Sequence, residues 1–153
     1  MTRRSTIRDT LAATVAAVNV TAYKHGAIGA RGLTHCKGAD LRKSMDTWAH
    51  LTFMVEAQTT NADDREGVGS QWVTPFGISI AYQMRAGLQG GGQQDDLDLA
   101  SDMAEDILTA ILNAASIDAR ASVSPVSYVV GAPDEKGNAT VQILVNVRHK
   151  FGA

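Results

Sequence analysis

The side chains with the widest chemical reach in this chain are four histidines, His25, His35, His50 and His149, and one cysteine, Cys36. A metal site built on one element needs ligands three or four positions apart, so that they share a face. No His-x-x-x-His or His-x-x-Cys spacing occurs. His35 and Cys36 are adjacent, and in regular structure their side chains point apart. A lone cysteine also excludes an internal disulfide framework and a cysteine-rich zinc site.

Carboxylates are better organised. Asp98, Asp102 and Asp106 recur every four residues with Glu105 among them, which is an acidic stripe along one helix face. Such a stripe can bind a divalent cation, dock a basic partner or simply face water. Calcium sites place their Asp-x-Asp ligands on a glycine-turned loop, and none accompanies this one. Docking of another subunit's basic arm is therefore the favoured functional reading over metal, with a solvated face as the plain alternative.

Two further stretches invite a ligand. The run from Gly87 to Gly90-Gly91-Gly92 sits between a strand pattern and a helix pattern, where phosphate loops occur. It lacks the Gly-Lys-Ser/Thr ending, and carboxylates at the start of the following helix would repel phosphate. The nucleotide reading is rejected. The basic N-terminal third could touch phosphates, yet beyond Tyr23 it has no interleaved aromatic residues on which bases would stack. Sequence-specific DNA binding is not expected, and incidental contact with DNA stays open. These residues form no catalytic constellation, so no enzyme activity, metal or cofactor is expected.

The elements that must position these residues follow from periodicity. Ile7, Leu11, Val15 and Val18 predict a first helix over 6–18, with Ser5 or Thr6 as its cap. The β-branched run after Val18 ends it. Residues 22–45 show no period and read as a long basic loop, a contact arm carrying Lys24, Arg31, Lys37, Arg42 and Lys43. Leu51, Phe53, Val55 and Ala57 share one face of a strand. A polar loop follows over 59–74, with Asp63, Asp64 and Arg65 as further contact candidates. Phe76, Ile78, Ile80, Tyr82 and Met84 form the apolar face of the next strand, with Pro75 at its start. A second helix over 95–115 carries Leu97, Ala100, Ala104, Ile107, Leu108, Ile111, Leu112 and Ala115 as its apolar stripe. Asp95, Asp96 and Asp98 lie in its first turns, where they favour the helix dipole. Two strands, over 120–130 and 139–149, close the chain.

The expected fold is therefore α+β, in the order α-β-β-α-β-β. A largely antiparallel four-stranded sheet would carry both helices on one face, with long loops. The strands' opposite faces are polar but sparsely charged, suited to solvent or to another subunit. Over 153 residues this makes one domain, 1–153, large enough to fold without a metal or disulfide. The chain has 44% apolar and 5% aromatic residues, so its core is aliphatic, and no run approaches a membrane span. It reads as soluble and intracellular where it is made. The net charge of –2 hides an asymmetry: residues 1–45 carry +6, residues 46–118 carry –10, and the remainder carries +2. A basic end and an acidic middle let copies of one chain attract each other.

This arrangement resembles the tail terminator (tail completion) and head–tail joining proteins of long-tailed bacteriophages. The similar stretches are Ser5–Val18, His50–Glu56, Phe76–Arg85, Asp96–Leu112 and Ala139–Phe151. The resemblance is one of element order and polarity and has no signature motif. It implies a structural virion protein without catalytic residues. Its copies would form a ring, typically a hexamer, that caps the tail tube and joins it to the head connector. The implied partners are other copies, the tail tube protein, the connector or adaptor proteins, and DNA passing through the lumen. Assembly would take place in the host bacterial cytoplasm. Another neck or adaptor protein is the nearest alternative. A small α+β ligand-binding or regulatory module, or a metal-dependent hydrolase using His35, His50 and the acidic stripe, would belong to different classes.

Overall fold

The structure is a computed structural model that describes residues 4–24, 27–36, 50–62, 71–84, 93–114 and 121–150. Helix α1 spans Arg4–Ala16. Ile7, Leu11 and Val15, four residues apart, are fully buried along its inner side. The helix starts before the expected cap, so Ser5 and Thr6 lie inside its first turn. The Thr6 carbonyl accepts a bond from the Thr10 hydroxyl at 2.9 Å. The helix ends at Ala16, two residues short of the expected Val18, just before the β-branched run.

Within the stretch expected to be a long loop over 22–45, the described residues, 22–24 and 27–36, are largely strand, and 37–45 lie outside the described residues. β1 (Asn19–Lys24) and β2 (Ala27–Gly32) pair antiparallel as a hairpin with a two-residue connection. β3 (Thr34–His35) follows after one residue and pairs with β4 (Thr52–Ala57) in parallel. The hairpin has its own anchor: Val20 and Ala22 are buried in the core, where β1 packs against the second helix.

β5 (Asn61–Ala62) and β6 (Gln71–Gln83) take the two ends of the expected 59–74 loop, at 61–62 and 71–74, with 63–70 outside the described residues. Pro75 accordingly lies well inside a strand and not at its start. Its carbonyl accepts from the Gln58 N–H at 2.8 Å, so its nitrogen faces the same side. There, residues 58–60 have left the ladder between β4 and β5, and the missing donor removes no ladder bond.

α2 spans Gln93–Asn113. β7 (Ser122–Val130) and β8 (Asn138–Lys150) form the closing hairpin. One sheet of six strands has the order β3-β4-β6-β8-β7, with β5 beside β6. The protein is thus α+β, but the sheet is mixed and larger than the four antiparallel strands expected. The element order also gains the inserted hairpin and two short strands. β6 and β8 run together over thirteen residues, from Gln71 opposite Lys150 to Gln83 opposite Asn138.

Both helices pack on one face, α1 over β3 and β4 and α2 over β7 and β8. The core-facing residues are the alternating ones expected: Phe53 and Val55, then Phe76, Ile78, Ile80 and Tyr82, then Val141, Ile143, Val145 and Val147. On α2 the buried side is Ala100, Met103, Ala104, Ile107 and Ile111. Leu112 was expected in that stripe but is 47% exposed, because it lies about a third of a turn round from Ala100. Asp96, four residues before Ala100, falls on the inner side and is buried at the helix start.

Leu51 adopts the left-handed backbone, with φ of 64°, which is uncommon for a residue with a side chain. It is held there from both sides. Its N–H donates to the Ala81 carbonyl at 2.7 Å, and its carbonyl accepts from Thr34 at 3.0 Å. Gly137, with φ of 82°, serves the β7–β8 turn, where a Cβ would be strained.

Candidate assembly surface

The acidic stripe lies on the solvent side of α2. Asp98, Asp102 and Asp106, together with Glu105, are all exposed, opposite the buried Ala100, Ala104 and Ile107. One member is tied to the sheet: the Tyr128 hydroxyl on β7 donates to Glu105 Oε1 at 2.9 Å. That bond, followed by desolvation and the charges of Glu105 and Asp102, raises the phenol above its ordinary value of 10.0. The stripe therefore borders the β7 edge of the sheet.

The basic arm divides. Lys24 ends β1 opposite Ala27, and Arg31 lies on β2 opposite Val20. Arg31 is half-buried and leans along the strand past Gly29. Lys37, Arg42 and Lys43 lie outside the described residues, as do Asp63, Asp64 and Arg65 on the other expected loop, and Asp95's side chain and Ala115. The structure thus places Lys24 and Arg31 at opposite ends of one hairpin, and Asp98, Asp102 and Asp106 along one helix.

The described histidines are engaged separately. His35 stacks on Phe53, ring centroids 5.0 Å apart. His50 Nδ1 accepts the Gln83 main-chain N–H at 2.8 Å, and its ring meets Tyr82 edge-on at 5.0 Å. His149 is fully buried, with Nε2 at 2.7 Å from the Thr74 hydroxyl, which in turn lies 2.7 Å from the Thr60 hydroxyl. Cys36 is buried, its N–H on the Phe53 carbonyl at 2.8 Å. Among the described residues no three His, Cys, Asp or Glu side chains gather as a metal site.

The sheet face away from the helices carries a shallow trough of about 230 Å³. Glu56, Gln58, Ser79, Gln142, Leu144 and Val129 line it, with Gly77 in its floor. No single segment signalled it, because its lining comes from four strands. Only the sparse charge of the outward-facing residues hinted at an open face.

At the far end of the closing hairpin, Asp134 fixes the β7–β8 turn. Its carboxylate accepts from the Lys136 and Asn138 N–H groups at 2.8 and 2.9 Å. The Asn138 bond contributes most to holding this carboxyl below its ordinary 3.8. No described helix is long and apolar enough to cross a membrane. No protein-family model matches this chain, and no curated protein is significantly similar to it in sequence.

Proposed function

We propose that the protein is a structural component of a phage tail or neck, a tail terminator or head–tail joining protein that acts as a ring of identical copies. The observation that carries this reading is the separation of charge on one small domain. An exposed carboxylate stripe runs along α2, while residues 1–45 carry +6, with Lys24 and Arg31 on the β1–β2 hairpin. Opposite patches at different places on one chain favour heterologous contacts, which close into rings. Part of the element order supports the same reading: a first helix, the antiparallel strands β4 and β6, an acidic helix and a closing hairpin come in that sequence, with the β1–β2 hairpin and the short β3 and β5 inserted. In this role the protein has no catalytic task and no cofactor. Its partners are its own copies, the tail tube and the connector proteins, and DNA in the lumen meets only general electrostatics.

The test is the mass in solution by light scattering after size exclusion, with negative-stain images of the main peak. A hexamer of 16.2 kDa chains gives about 97 kDa and a central hole. A chain that stays monomeric both alone and with isolated tail tubes overturns the proposal, as does a compact dimer. A small ligand-binding module is the second reading. It has one observation in its favour, the polar trough between Glu56, Ser79 and Gln142.

A further inference from the structure

We infer that neighbouring copies join by strand addition, the outer edge of β7 on one copy pairing with the outer edge of β2 on the next. This deepens the ring reading and rests on it. β7 ends the sheet order, and among the described residues nothing pairs with its outer side. The Gly131 N–H reaches the Thr140 carbonyl at 2.9 Å, which sets the phase of the β7–β8 ladder. By the two-residue period, Ser127 and Val129 also turn their main chain toward β8. Tyr128 and Val130 then turn their N–H and C=O groups outward, where they lack a ladder partner among the described strands.

An edge of this kind is ordinarily blunted by charge, shortness or a bulge. Ser122–Val130 contains no charged residue, and Val126 and Val129 are 50% and 58% exposed. The irregularity between Pro125 and Ser127 removes the first half of the strand from a regular joint. It leaves Ser127–Val130 in unbroken register with β8.

The same chain carries the other half of the joint. β2 pairs only with β1 among the described strands, so every second residue presents its polar main chain to the other side. Ile28 and Ala30 are exposed, and a Cβ at Gly32 would meet nothing within 4 Å. A second strand can therefore approach closely. Charge selects this occupant over an arbitrary strand. β7 is flanked by Glu105, which holds Tyr128, and by Asp102 beside it on the exposed face of α2. β2 belongs to the basic segment, with Lys24 and Arg31 on its hairpin. Because the two edges are different surfaces, the contact is head-to-tail, the type from which rings are built.

The test uses two edge-blocked forms of the full chain, Val126→Lys with Val129→Lys and Ile28→Lys with Ala30→Lys. All four positions are exposed, so the fold should persist, and circular dichroism and melting check that it does. Each form alone should run as a 16.2 kDa monomer. Their equimolar mixture should give a pair of about 32 kDa and nothing larger, since only one good joint can form. Blocked forms that assemble like the wild type overturn the joint while leaving the ring standing, and so does a mixture that stays monomeric. A wild-type chain that never assembles, alone or on tail tubes, removes the ring and the joint together.

Discussion

Thr74 and His149 lie 75 residues apart in sequence, and their side chains meet at 2.7 Å in the buried interior. They sit on the two longest strands, β6 and β8, just beyond the buried apolar residues Phe76 and Val147. The Thr74 hydroxyl also meets Thr60, so one oxygen links the start of β6, the end of β8 and the turn after β4. In a low-dielectric interior such a link specifies one register, because slipping a strand would strand a polar group.

Thr74→Val keeps the shape and removes the oxygen. It should cost about 1–3 kcal/mol in urea unfolding, since the groups that met the hydroxyl lose a buried partner. A midpoint equal to the wild type's would show that this link contributes nothing.

Ile80→Asp should abolish folding. Ile80 is fully buried on the core face of β6 opposite Val141. An unpaired charge there exceeds about 4 kcal/mol, a large share of a small domain's stability. A soluble variant with native circular dichroism and melting would show that β6 is registered one residue away.

The β7–β8 turn should loosen in acid. Asp134 is held below its ordinary 3.8 by the N–H groups of Asn138 and Lys136. The stabilisation is present above 3.8 and is lost as pH falls through the lower folded value. Amide exchange at Lys136 and Asn138 should therefore accelerate in that window, beyond the intrinsic pH trend. In Asp134→Ala the same amides should exchange fast at every pH, and an unchanged profile would remove the carboxylate from the turn.

Tyr128 makes the opposite prediction. Its raised phenol favours the neutral form in the folded state, so its contribution is present below 10.0 and fades as pH rises through the folded value. Ultraviolet titration should show phenolate from this residue appearing late, and Glu105→Gln should bring it earlier. Titration unaffected by that substitution would separate β7 from α2.

Neutralising Arg31, Lys37, Arg42 and Lys43 to Gln should weaken self-association or docking by about tenfold or more, with the domain still folded. The loss should shrink at high salt, where the wild type itself is screened. An unchanged oligomer and unchanged phage assembly would count against a basic arm.

The parts legible in the sequence are those whose residues carry their own periodicity. Phe76-x-Ile78-x-Ile80 and Val141-x-Ile143-x-Val145 announced strands, and Ala100, Ala104 and Ile107 announced a helix face, because burial on one side imposes those spacings. The β1–β2 hairpin escaped because Ala-Ile-Gly-Ala-Arg-Gly has too few apolar residues to show alternation. Its anchor, Val20 and Ala22, depends on α2, about seventy residues later. β3 and β5, two residues each, are fixed by their neighbours alone. The acidic stripe was visible as a four-residue repeat, but the burial of Asp96 depends on helical phase relative to a core that the local sequence does not contain. The trough and the Thr74–His149 link join distant segments and leave no local trace.

The central place of β8 has a consequence for how the chain reaches this state. β6 finds β4 early, with β5 covering only its far end, but its other edge waits for a strand that begins at Asn138, after all of α2 and β7. Until then a thirteen-residue strand with Phe76, Ile78 and Ile80 on its apolar face stands open. Folding dominated by such distant pairing is slow, on the order of milliseconds to seconds. A chain cut before Ser122 would lack both β7 and β8 and offer β6 as its free edge. Such a fragment would be expected to clump rather than to assemble.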